Sequence, residues 1–296
     1  MSKSITYYLT LFVIRMKGIK KAFRQDPIDY ISIRKNDVHD PQSSYFQSLA
    51  PKTYTIGETK ITEIKKEPSS QKLLLYIHGG AFISGPSQHH WDSLEKIIQH
   101  TNHTVWMCTY PKAPEYKIHQ ISDNIDAVYH SALEHYAPEN ITIMGDSAGG
   151  TLAIGLTQRL VSQTHRLPSK LILLSPVLNS SFENQAIEAI DPKDPMLSKK
   201  GVVSAKEMCL NDGDTLATLA LSPIHGLFEG FPTTYLFIAT HDITYPDQLL
   251  FCEKLERAGV RHTVITGKEM PHIWPLLPVM KEAKQALQQI ISIINT

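Results

Sequence analysis

The pentapeptide Gly145-Asp146-Ser147-Ala148-Gly149 constrains this chain more than any other stretch. It follows the β-branched, apolar run Asn140-Ile141-Thr142-Ile143-Met144, which reads as an inner strand. It precedes Gly150-Thr151-Leu152-Ala153-Ile154-Gly155-Leu156, which reads as a helix start packed by small residues. A strand, a sharp turn and a helix in that order lift a serine hydroxyl off the end of a sheet, the setting of a nucleophile elbow. Glycines two before and two after the serine keep bulky side chains out of the turn.

A second motif stands upstream. His78-Gly79-Gly80-Ala81-Phe82 follows the strand-like run Leu73-Leu74-Leu75-Tyr76-Ile77. Consecutive glycines after a strand expose backbone N–H groups. Those of Gly79 and Gly80, with that of Ala148 after the serine, form the expected oxyanion hole. Each such donor is worth about 3 kcal/mol in the barrier of an acyl transfer. An ordinary glycine turn explains either motif alone. The two together, each after a strand, favour the catalytic reading.

The rest of the chain agrees with an α/β fold. Strands are expected at Leu73–His78, Val105–Tyr110, Ile141–Gly145, Leu171–Val177, Tyr235–Thr240 and His262–Thr266. Helices are expected near Asp92–His100, Ile118–Tyr136, Ala148–Val161, Pro246–Ala258 and Val279–Ile294, with a hairpin or two edge strands over Tyr54–Lys66. The alternation predicts a mostly parallel, doubly wound sheet flanked by helices. The 296 residues suit one such domain spanning 1–296, and 42% hydrophobic content fills its core. Residues 179–221 break the alternation with helical pattern and Asp-Pro breaks. They read as a helical cap inserted where ligands bind in open α/β sheets, completed by about residues 1–45.

Near the N-terminus, Ile5, Leu9, Phe12, Val13, Met16 and Phe23 recur at helical spacing, with Lys17, Lys20, Lys21 and Arg24 largely opposite. The preferred reading is one helix packing that apolar face on its own domain; contact with a membrane surface is the alternative. The apolar run is too short to span a bilayer and lacks a cleavage site, so a cytoplasmic location is expected. Three cysteines without ligand spacing read as buried thiols. Net charge is zero and the body of the chain has no basic cluster, so no nucleic-acid partner is implied. No metal-binding set, dinucleotide fingerprint or Walker A loop occurs, and no cofactor is expected.

A serine nucleophile needs a base, and the base needs an orienting acid. His272 is the one histidine after the last expected strand. Asp242 directly follows the strand Tyr235–Thr240 and is preferred as the acid over Asp247, which falls in the first turn of the next helix. Phe82 and Trp274 are candidate walls of an apolar substrate pocket, with core packing as the alternative. His89-His90 is a candidate for the pocket entrance, and His241 has no assigned role.

These residues resemble the hormone-sensitive-lipase branch of the α/β-hydrolases. The matches are His78–Phe82, Tyr110-Pro111-Lys112-Ala113-Pro114-Glu115, Gly145–Gly150, Ser175-Pro176, Asp194-Pro195-Met196-Leu197-Ser198, Leu221-Ser222-Pro223 and Met270-Pro271-His272. The resemblance covers roughly residues 70–295. It implies a serine carboxylesterase with Ser147, Asp242 and His272 as triad and Gly79, Gly80 and Ala148 as oxyanion donors. It also implies a cap built from an N-terminal helix and an insertion. Ala81 stands where many members have a third glycine, a departure expected to leave the donor positions untouched. A short to medium chain ester is the expected substrate, for a monomer or a homodimer. A lactone, an amide, an aryl formamide or an acetyl group stays open on the same triad, as does a non-catalytic binding scaffold.

Overall fold

The computed structural model describes residues 3–164 and 166–296; residues 1 and 2 of the expected 1–45 cap segment lie outside them. Eight strands form one sheet: β1 (Lys52–Ile56), β2 (Thr59–Ile64), β3 (Leu73–Ile77), β4 (Thr104–Thr109), β5 (Ile141–Asp146), β6 (Lys170–Leu174), β7 (Thr233–Ala239) and β8 (His262–Gly267). Their order is β1-β2-β4-β3-β5-β6-β7-β8. The first two form the expected hairpin, closed by Ile56 opposite Thr59, and β2 runs antiparallel to β4. From β4 to β8 every pairing is parallel. Strands β3 and β5 are buried along their whole length, which is why they read as unbroken apolar runs rather than alternating ones.

Eleven α-helices lie among the described residues. Four precede the sheet: α1 (Ile5–Met16), α2 (Ile19–Ala22), α3 (Tyr30–Arg34) and α4 (Ser44–Ser48). Then come α5 (Gln88–His100), α6 (Ile118–Leu133), α7 (Ala148–Ser162), α8 (Ile187–Ile190), α9 (Lys199–Glu207), α10 (Tyr245–Arg257) and α11 (Lys281–Asn295). The crossovers α5, α6, α7 and α10 cover the sheet's two faces, and two apolar clusters fill the space between sheet and helices. Between β6 and β7 there is no strand, only α8, α9 and short 3₁₀ turns. That segment is stitched to the N-terminal one. The Gly201 N–H donates to Phe23 O at 3.0 Å, the Ile28 N–H to Ser204 Oγ at 3.1 Å, and Lys20 Nζ to Asp194 O at 2.7 Å.

The N-terminal helix departs from expectation. Gly18 takes a left-handed φ of 65° and ends α1 there, so a separate turn, α2, follows. The face that packs carries Tyr7, Leu11 and Ile14. The expected packing face of Ile5, Leu9, Phe12, Val13 and Met16 is exposed instead. The reason is that α1 is apolar on two sides. The side with Tyr7 also satisfies a polar group against the domain: its hydroxyl donates to Glu269 O at 2.9 Å.

Candidate active site

Ser147 lies between the end of β5 and the start of α7, with φ 50° and ψ −119°. A non-glycine residue there stores about 1–3 kcal/mol of backbone strain. Neighbouring structure enforces it. The Ser147 N–H donates to Leu174 O at 2.9 Å, and its carbonyl accepts from Thr151 and Val177. A Cβ on Gly149 would overlap Ile77 O, and one on Gly145 would lie 2.6 Å from Gly149 O. Both elbow glycines are therefore steric necessities of strand β5 passing close to β3 and α7.

Asp242 follows β7 and His272 follows β8, at the same end of the parallel strands as Ser147. His272 Nδ1 lies 2.7 Å from Asp242 Oδ2, and both side chains are buried. Thr244 gives Asp242 Oδ1 two more hydrogen bonds, from its N–H at 2.9 Å and its hydroxyl at 2.6 Å. Burial pushes the Asp242 carboxyl up, but His272 and Thr244 outweigh it and hold it below the usual range. For His272, burial disfavours the cation, and the Asp242 charge overcomes it and raises the imidazole above its ordinary value. The loop is fixed by the Ile273 N–H, which donates to Ser175 Oγ at 3.1 Å. Ser147 Oγ has no hydrogen-bond partner among the described residues, His272 included; such contacts commonly tighten only with substrate bound.

The glycine loop after β3 lies against the elbow: a Cβ on Gly79 would sit 3.1 Å from Ser147 Cβ. Here one expected donor is corrected. The Gly79 N–H is already donated to Asp146 Oδ1 at 3.0 Å, so it is not available to an oxyanion. Among the described residues the N–H groups of Gly80, Ala81 and Ala148 have no acceptor. Ala81 holds φ 56°, a left-handed backbone that explains why glycine is also suited to this position.

Comparison with known proteins identifies the fold family. A model of the alpha/beta hydrolase fold matches residues 74–276. The chain belongs to the α/β-hydrolase fold family. It is 32% identical over 235 residues to an esterase of Acinetobacter venetianus, covering 77% of this chain and 76% of that one. It is 25% identical over 244 residues to an acetyl-hydrolase of Streptomyces hygroscopicus, covering 82% and 81%. A solved structure from Staphylococcus aureus is 28% identical, with a TM-score of 0.86 and coverage of 96% and 99%.

In this α/β-hydrolase the other expected residues lie as follows. Phe82 is fully buried in the core, with Lys206 Nζ 3.8 Å from its ring centre. Trp274 is buried too, its indole N–H donating to Ile238 O at 3.2 Å. Neither presents an open wall. Asp247 lies in the first turn of α10 and accepts from Asn184 Nδ2 at 2.9 Å, apart from the His272 pair. His90 sits behind the elbow, with Nε2 3.3 Å from Asp146 Oδ2, rather than at an entrance. Burial opposes charge on Asp146, but His90 and a Tyr76 hydroxyl at 2.8 Å prevail and hold it at about 2.

Sequence reasoning gave Asp194, part of the Asp194–Ser198 match, no role of its own. Its Oδ1 accepts from the Met196 and Leu197 N–H groups at 2.8 and 2.9 Å, and its Oδ2 from the Ile243 N–H at 3.0 Å. Burial and then the nearby Asp242 charge raise it to about 7. The Asp-Pro pair was visible in the sequence as a helix break; nothing local disclosed that the carboxylate holds the residue after Asp242.

Proposed function

We propose that this ester hydrolase cleaves short to medium chain carboxylic esters through an acyl-enzyme formed on Ser147. The observation that carries the reading is the buried 2.7 Å contact between His272 Nδ1 and Asp242 Oδ2. It fixes the tautomer in which Nε2 is the acceptor. His272 takes the Ser147 proton as the hydroxyl oxygen attacks the ester carbonyl. The negative oxygen that forms is held by the N–H groups of Gly80, Ala81 and Ala148. His272 then gives the proton to the leaving alcohol. Water repeats the sequence on the acyl group, and Ser147 is released. The names of the Acinetobacter and Streptomyces relatives support ester cleavage, and the latter supports a small acyl group.

Residues 3–45 and 179–221 are read as a cap over this end of the sheet. The hydrogen bonds of Gly201, Ile28 and Lys20 that join the two segments support treating them as one unit.

The test is hydrolysis of p-nitrophenyl esters from acetate to palmitate by the wild-type protein and Ser147→Ala. The expected result is turnover that peaks at short acyl chains and is lost in Ser147→Ala. Retained turnover in that variant overturns the nucleophile; a maximum at palmitate overturns the chain length.

A further inference from the structure

Helix α1 is apolar on two opposite sides, and the domain covers only one. Tyr7, Leu11 and Ile14 are buried against the loop before His272 and the C-terminal helix region. On the other side Ile5, Tyr8, Leu9, Phe12, Val13 and Met16 form a continuous stripe. Ile5 is 87% exposed, Phe12 58% and Met16 72%. Six large apolar side chains on three turns of one helix exceed the scattered apolar exposure that a water-facing surface normally carries.

Along this N-terminal segment the charge is of one sign. Residues 3–25 contain Lys3, Arg15, Lys17, Lys20, Lys21 and Arg24 and no Asp or Glu. Of these cations Lys3 is paired with Glu269, and Lys20 is spent on Asp191 and the Asp194 carbonyl; Glu282 accepts from Ser4 at the start of the helix. Arg15, Lys17, Lys21 and Arg24 are exposed. An exposed apolar stripe with Tyr, Phe and Leu, on a segment whose exposed charged side chains are basic, is the composition of a helix that lies in a bilayer interface. A second copy of the chain meeting this face about a two-fold axis would bring cations toward cations, with no acid on either helix.

We propose that the outer face of α1 docks the enzyme on an anionic lipid surface. The apolar side chains enter the headgroup region, and Arg15, Lys17, Lys21 and Arg24 meet lipid phosphates. No described helix is long and apolar enough to cross a membrane, so the attachment is peripheral. The docked helix is tied directly to the site. Tyr7 on its inner face holds the carbonyl of Glu269, three residues before His272. The docking stands apart from the esterase reading. Its consequence, that esters reach Ser147 from the lipid phase, rests on that reading.

The test is vesicle flotation of the full chain. One set of vesicles is phosphatidylcholine alone; the other contains phosphatidylglycerol as well. Wild type is expected to float with the anionic vesicles and to be released by high salt. Leu9→Ser/Phe12→Ser is expected to weaken that binding by about tenfold or more, from the apolar area removed. Lys17→Gln/Lys21→Gln/Arg24→Gln is expected to abolish the preference for anionic over neutral vesicles. A thermal unfolding midpoint of each variant equal to that of the wild type confirms that the fold is intact. The proposal is overturned if wild type floats with neither vesicle, or equally with both. It is also overturned if the Leu9→Ser/Phe12→Ser variant floats as wild type does. Conversion by that variant of a solution dimer to monomer overturns it too, since a second copy then covers the stripe. Vesicle binding without ester turnover leaves the docking intact and removes the esterase reading instead.

Discussion

The Gly79 amide donates to Asp146 Oδ1 at 3.0 Å, and Asp146 directly precedes the serine of the elbow. The loop after β3 and the turn after β5 are thereby held as one rigid unit. The same carboxylate accepts from Tyr76 at 2.8 Å and faces His90 at 3.3 Å. The hydrogen bond moves the free N–H groups one residue along, to Gly80 and Ala81.

A contrasting pair of substitutions checks this shift. In Gly79→Ala the new Cβ overlaps Asp146 Oδ2 and crowds Ser147 Cβ. Loss of the loop's position is expected to lower kcat by about 10²-fold or more, comparable to removing one oxyanion donor. Ala81→Gly keeps the backbone N–H and relieves a positive φ. Its kcat is expected within about threefold of wild type, since the donor is the backbone and not the side chain. Steady-state kinetics on a soluble ester reads both. A large kcat loss in Ala81→Gly with the fold intact would show that the Ala81 methyl group, and not the N–H alone, acts at the site.

The pH profile follows from the His272–Asp242 pair. Asp242 raises the His272 imidazole above its ordinary 6.5, and the base works only when neutral. The acid limb of kcat/KM is therefore expected above pH 6.5, with activity rising as pH rises through it. The linked stability has the opposite sense for His272: its contribution is complete below 6.5 and fades as pH rises through the raised value. In Asp242→Asn the limb is expected to move down, with kcat lower by about 10³–10⁴-fold. A pH–rate profile of both proteins reads this, and an unmoved limb would separate the profile from His272.

Lys206 is fully buried in α9, and its Nζ has no hydrogen-bond partner among the described residues. Burial lowers it to about 7, and the Phe82 ring face is its nearest compensation. The unfolded chain holds this proton up to pH ~10.4. Between about 7 and that value the unfolded state binds more protons, so wild-type stability gains with rising pH from this group. Lys206→Met removes a buried cation that has no hydrogen-bond partner among the described residues and keeps the apolar stem. It is expected to stabilise the fold at pH 7 by about 1–3 kcal/mol and to flatten the rise with pH. Denaturant midpoints at pH 7 and 9 measure both effects; a destabilised Lys206→Met would show that the cation has a partner of its own.

Most of the sheet was legible in the chain because its inner strands are buried on both faces. Each expected strand start lies within two residues of the observed one, from β3 at Leu73 to β8 at His262. The elbow was legible for a local reason: strand, turn and helix are consecutive, and the glycines answer contacts that the turn itself creates. The sequential order of Ser147, Asp242 and His272 could be read because each stands just after a strand. Three things needed the tertiary structure. Which amides of the loop His78–Phe82 stay free depends on Asp146, 67 residues from Gly79 in sequence. That Phe82 and Trp274 lie in the core, not on an open wall, depends on α9 and β7 closing over them. Which side of α1 packs depends on a tyrosine hydroxyl meeting a carbonyl 262 residues away. Periodicity identifies apolar faces but carries no term for a distant partner, so a helix apolar on two sides leaves the choice to the fold.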